Sequence, residues 1–182
     1  MRVTHHLKRT KDNHEAVRRY AIILGVIAAL VLFGLWWFSA EQVVKRRVTS
    51  LFETAEVPES MASPGRLARG THVAKYVADR VRVRPPTDAR LPISLAVPIS
   101  RDNVSQYYSA TAKYARSITF EDLTFKTVEI IDDEAKVSFS IDGIVDLPSR
   151  RPVDGILHVE SVWRKIEGDW LLVEFSWQEQ GR

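Results

Sequence analysis

VWRKIEGDWLLVEFSW, residues 162–177, decides the fold. Two runs rich in Val, Ile, Leu, Phe and Trp flank Glu167-Gly168-Asp169. Glycine takes the positive φ that a tight connection needs, and Asp tolerates turn geometry, so the stretch predicts a β-hairpin. It carries Trp163, Trp170 and Trp177, three of the five tryptophans, so much of the aromatic core belongs to it.

Upstream of the hairpin the apolar period is two. It predicts strands over 118–131, 134–147, 155–166 and 170–178, with IDDEA as one turn and PSRRPVDG as a longer connection. Val137, Phe139 and Ile141 alternate with Ser138, Ser140 and Asp142, the pattern of an antiparallel sheet with one buried and one wetter face. Before the strands the pattern is helical. Val44, Val48, Leu51 and Ala55 make one apolar stripe, and Pro58 ends that helix near Val57. Ser63 with Pro64 reads as the start of a second helix running to about Asp79. RVRVRPP reads as a short strand, and the proline-rich 86–100 holds at most an edge strand near 93–97. Ser100 reads as the N-cap of a helix over 101–115, with Val104, Tyr108, Thr111 and Ala115 on one face. Helices first and an antiparallel meander last predict an α+β domain with helices on one face of a curved sheet.

A different signal precedes the domain. YAIILGVIAALVLFGLWWF, residues 20–38, has no charged side chain. As one helix it covers about 28 Å, close to bilayer hydrocarbon thickness. Tyr20 at one end and Trp36 and Trp37 at the other are placed as interface anchors. Bulky Phe38 or Trp37 would fall three residues before a cleavage site, which favours an uncleaved anchor over a signal peptide. The sequence thus divides into a basic tail 1–19, a transmembrane helix 20–39 expected to run directly into the first helix of the domain, and an extracytoplasmic domain 40–182. Six Lys/Arg precede the span, which places the N-terminus in the cytoplasm and the domain in the periplasm or outside the cell.

Charge follows this division. The chain of 182 residues has a formal net charge of +3, and residues 1–39 alone carry +4. The basic balance therefore belongs to the tail and membrane lipid, which argues against a nucleic-acid partner. Within the domain, Arg66, Arg69, Lys75, Arg80, Arg82 and Arg84, with Arg90, form a basic segment against Asp79 and Asp88, a candidate docking patch for an acidic partner or lipid headgroups. There is no Cys, which excludes disulfides and thiolate chemistry. His5, His6 and His14 lie in the tail and His72 in a helix, none with the partners of a metal site, so no metal and no cofactor are expected.

The helix order, the four-strand ending and SVWRKIEGDWLLVEFSW together resemble the NTF2-like superfamily, the cone shared by nuclear transport factor 2, ketosteroid isomerase and SnoaL-type cyclases. The resemblance covers about 41–178. An anchor followed by such a domain is also similar in layout to VirB8-type components of type IV secretion systems. The resemblance implies a cone, and a homodimer through the sheet. It leaves function open between enzymes, binding modules and scaffolds.

NTF2-like enzymes hold an acid or base inside the cone. His158 and Glu160 share one face of strand 155–166 and would make a proton-transfer pair if that face lined the cone. Leu157, Val159 and Trp163 make the opposite face at least as apolar, so His158 and Glu160 are expected to face water. Tyr107, Tyr108 and Trp163 are the candidate floor of an apolar pocket. The expectation is a single-pass, membrane-anchored, non-enzymatic scaffold or assembly subunit of the cell envelope that docks other envelope proteins. The alternative is a protein that binds or turns over a small apolar ligand, with isomerase-like or cyclase-like chemistry.

Overall fold

The structure, a computed structural model, describes residues 4–84, 98–148 and 151–181. Its elements in chain order are α1 (Thr4–Trp37), α2 (Ala40–Ala55), α3 (Ser63–Ala74), β1 (Val77–Arg84), β2 (Ile99–Ser100), α4 (Arg101–Tyr114), β3 (Ser117–Ile131), β4 (Glu134–Asp146), β5 (Val153–Ile166) and β6 (Asp169–Gly181). The backbone forms two compact units, Met1–Gln42 and Val43–Arg182.

The first unit is dominated by α1. Its large apolar side chains are exposed on every side, from Ile22 at 58% to Leu35 at 69%. Among the described residues no single helix is long and apolar enough to cross a membrane; Ile22–Trp37 and Ala40–Ala55 meet that test only as a pair. The backbone also departs from the expected continuous helix. It breaks at Phe38-Ser39, and the Ser39 hydroxyl accepts from the Gln42 amide at 3.4 Å. A serine at a helix start offers an acceptor for an otherwise unpaired N–H, which favours a new helix there over continuation.

The second unit is a six-stranded sheet in the order β2-β1-β6-β5-β4-β3, covered on one face by helices. Neighbours are antiparallel except β1 and β6, which run parallel. The sheet is open, and register shifts at Glu121/Thr124, Phe125/Thr127 and Val162/Trp163 bend it. The β5–β6 turn has φ of 52° at Glu167 and 95° at Gly168, the pair of positive angles a two-residue hairpin demands.

The inner face of the sheet is set by the period of two. Val137, Phe139 and Ile141 of β4 and Val159 and Trp163 of β5 are each at most 2% exposed. Val44, Val48, Leu51 and Phe52 of α2 meet them, and Phe52 packs edge-on against Phe139 (5.5 Å) and Phe120 (5.1 Å). α2 is therefore a core helix of this domain. α3 and α4 cross at Gly70, where an added Cβ would fall 2.0 Å from the Ser105 carbonyl.

Several boundaries differ from the sequence expectation. Ala62 is the N-cap of α3 and makes no side-chain cap, while Ser63 is already helical. α3 stops at Ala74, short of Asp79, because Val77 joins β1 beside Leu172 and Leu172 N donates to Tyr76 O at 2.8 Å. β1 thus begins three residues before RVRVRPP. The Ser100 cap is in place, accepting from Asn103 N at 3.2 Å. The strand expected near 93–97 and Arg90 lie outside the described residues.

Candidate functional site

The space between helices and sheet is where an NTF2-like reaction would take place, and here it holds side chains. The candidate Trp163 fills it from β5, 1% exposed. Its indole Nε1 donates to Ser161 Oγ at 3.1 Å, and Ser161 Oγ donates to Val137 O at 3.3 Å. Ser161 is buried and polar, and it has partners on both sides; the sequence alternation gave no reason to single it out.

Tyr108 reaches the same core from α4, and its hydroxyl donates to Ala55 O at the end of α2. Burial pushes its phenol well above the ordinary value of 10.0, with Glu56 adding to this and Arg69 opposing it. Tyr107, the third pocket candidate, is 52% exposed on the outside of α4. The three candidates therefore do not line one pocket.

His158 and Glu160 stand on the other side of the sheet. β5 pairs Val159 with Phe139 and Ser161 with Val137 on the inner face, which turns residues 158 and 160 outward beside Ser140 and Ser138. His158 Nδ1 lies 3.2 Å from Lys126 Nζ, and Glu160 is exposed. A pair on the outer face cannot hand a proton to a molecule held inside the cone. Among the described residues no group of three or more His, Asp or Glu side chains is placed to hold a metal.

The basic segment splits in two. Arg66 is a structural clamp: its guanidinium donates to Met61 O (2.8 Å), Glu59 O (3.0 Å), Arg116 O (2.9 Å) and Ala115 O, tying the loop after α2 to the end of α4. Arg69 donates to Thr54 O at 3.0 Å. Carbonyls at helix ends lack partners within the helix, so guanidinium groups there stabilise the fold. Lys75 is exposed near the end of α3. Arg80, Arg82 and Arg84 lie on β1; Arg82 and Arg84 both converge on Glu174, at 3.5 and 2.8 Å. Of the interface anchors, Tyr20, Trp36 and Trp37 are all exposed, and Phe33 stacks against Trp37 at 5.8 Å.

Solved proteins superpose on this chain over most of its length. A proposed aromatic ring hydroxylase from Novosphingobium aromaticivorans superposes with a TM-score of 0.62 at 10% identity, over 78% of this chain and 90% of its own. A proposed dehydratase of the NTF2-like family from Streptomyces avermitilis gives 0.55 at 16% identity, over 78% and 96%. The fold is NTF2-like. A ketosteroid isomerase-like protein from Erwinia carotovora atroseptica agrees, with 0.57 at 13% identity over 80% of this chain and 99% of its own. No protein-family sequence model matches this chain, and no curated protein matches it. At such identities the likeness carries the NTF2-like fold alone, since this fold serves many chemistries.

Proposed function

We propose that this chain is a single-pass membrane protein whose NTF2-like domain acts without catalysis, as a scaffold or assembly subunit of the cell envelope. The observation that carries the membrane half is the exposure of every large apolar side chain from Ile22 to Phe38. A helix apolar all round belongs inside a large core or a bilayer. Ile22–Trp37 rises about 24 Å, and the full run 20–38 about 28 Å, near the hydrocarbon thickness. The basic tail before it favours a cytoplasmic N-terminus and an outer domain. The burial of Trp163 between helices and sheet, with His158 and Glu160 on the far face, supports the non-enzymatic half. The finest form of this reading is a part of a transport or secretion complex that meets its partners through the sheet or β1, with a homodimer as one such contact.

The second reading is a protein that binds or turns over a small apolar ligand. The comparisons favour it over the scaffold, because the neighbours are described as a hydroxylase, a dehydratase and a ketosteroid isomerase-like protein. Its ligand would enter among Tyr108, Trp163 and the neighbouring core.

The deciding experiment is alkaline carbonate extraction of membranes holding the full chain, then affinity recovery from detergent with intact-mass analysis. Retention in the membrane with stoichiometric protein partners supports the first reading. Recovery alone with a co-purifying small molecule supports the second. Release by carbonate sinks the membrane half.

A further inference from the structure

Strand order brings together charges that are far apart in sequence. β1, β6, β5 and β4 are consecutive in the sheet, and their outer faces form a groove of about 490 Å³. Arg80 and Arg82 enter it from β1, Arg164 from β5 and Lys136 from β4. Two carboxylates share it, and both are already engaged. Glu134 pairs with Arg164 at 3.1 Å, and Glu174 takes Arg82 and Arg84. Arg80 and Lys136 have no hydrogen bond or ion pair among the described residues, and both are exposed. Val162 and Val173 supply an apolar strip between them.

The surroundings limit what fits. Toward β3 the face turns acidic, with Glu129 and Glu160 in the adjoining groove. Toward the hairpin turn it mixes Asp79, Glu167 and Asp169 with Lys75, Arg80, Arg101 and Arg164, with Arg101 already paired to Asp79 at 3.2 Å. Carboxylates therefore interrupt the positive region on both sides. A flat anionic bilayer or a long polyanion would press its charges onto those flanking acids, at a Coulomb cost that short range and salt screening do not remove. A short segment with spaced carboxylates avoids them.

We propose that this groove docks a short acidic segment of a partner protein, with carboxylates on Arg80 and Lys136 and an apolar side chain on Val162 and Val173. The proposal rests on the scaffold reading above and narrows its docking surface. It removes Arg66 and Arg69, and it adds Lys136 and Arg164. An unpaired guanidinium on β1 and an ammonium on β4, three strands away, offer charge-assisted hydrogen bonds to two separate carboxylates, and the valines between them select against a uniformly charged ligand.

The test is fluorescence anisotropy of a short fluorescein-labelled peptide of alternating Glu and Val, titrated with the full chain in neutral detergent. Saturable binding is expected, weakening as salt rises from about 0.05 to about 0.3 M. Arg80→Gln and Lys136→Gln should each weaken it about fivefold and together about 25-fold, with unchanged thermal melting. The conservative pair Arg80→Lys and Lys136→Arg should retain most of the affinity. No binding, equal binding by the double Gln variant, or tighter binding of inorganic polyphosphate or of anionic-lipid nanodiscs overturns the proposal. If the chain still resists carbonate and still recovers stoichiometric partners, the scaffold reading stands while this inference fails.

Discussion

The Trp163 indole donates to Ser161 Oγ at 3.1 Å, two residues back on the same face of β5. The hydroxyl passes its own hydrogen to Val137 O on β4 at 3.3 Å. Ser161 is 3% and Trp163 1% exposed, so water reaches neither. In this NTF2-like domain the Trp163 and Ser161 polar groups thus answer one another inside the core.

Ser161→Ala should therefore destabilise the domain. It takes the acceptor from the buried Trp163 N–H, and leaving one buried donor unpaired costs about 1–3 kcal/mol. Urea unfolding followed by tryptophan fluorescence in detergent should show a lower midpoint with little change in slope. An unchanged midpoint would mean that the indole finds water, and that the cone is wetter than its burial indicates.

Gly70→Ala should be worse tolerated than an ordinary helix substitution. Replacing glycine inside a helix normally stabilises by about 1 kcal/mol, through helix propensity. Here the new methyl would meet the Ser105 carbonyl at 2.0 Å and the Ser109 hydroxyl at 2.2 Å. Backbone on backbone cannot yield by rotation, so α3 and α4 must separate, and overpacking of this kind costs about 1–3 kcal/mol. The expected outcome is a thermal midpoint lowered by several degrees.

Glu167→Asn should stabilise. Glu167 holds a φ of 52°, a left-handed conformation that asparagine adopts more readily than glutamate. The side chain is exposed and makes no described contact, so a gain of about 0.5 kcal/mol is expected in the same denaturation assay.

Tyr108 ties stability to alkaline pH. Burial, chiefly, raises its phenol above the ordinary 10.0, so the folded state keeps a proton that the unfolded chain loses. Where the unfolded state binds fewer protons, stability falls as pH rises. Its contribution is thus intact below about pH 10 and declines above it. Tyr108→Phe should lower stability at neutral pH, through the lost bond to Ala55 O, and should show a shallower decline than the parent between about pH 9.5 and 11. Parallel slopes would mean that the phenol ionises freely in the fold.

The strands were legible because alternation such as Val137-Ser138-Phe139-Ser140 has one explanation. The end of α3 was not legible, because Val73 and Val77 fall four apart, a helical spacing that carries the pattern past Ala74. Parallel pairing of β1 with β6 overrides that local pattern, and no sequence feature announces a non-local partner. The same blindness hid the basic groove, since Arg80 and Lys136 come to line it together only through strand order. Arg66 looked like a surface cation because its partners are carbonyls, which carry no residue signature. Glu167 gave no hint of a positive φ, because the angle is imposed by the turn.

The membrane reading makes the sharpest demand on α1. Ile27 and Leu30 lie near the middle of the apolar run and are 53% and 64% exposed. Ile27→Arg with Leu30→Arg would place two guanidinium groups at mid-bilayer, at about 2.5–3.5 kcal/mol each on insertion scales. Carbonate extraction should then release much of the double variant that the parent retains. The NTF2-like domain has its own core, so its melting should not move. Release without loss of melting assigns α1 to the bilayer. Unchanged extraction together with a lowered melting temperature would assign it to a protein interior instead, and the membrane half of the reading would fall.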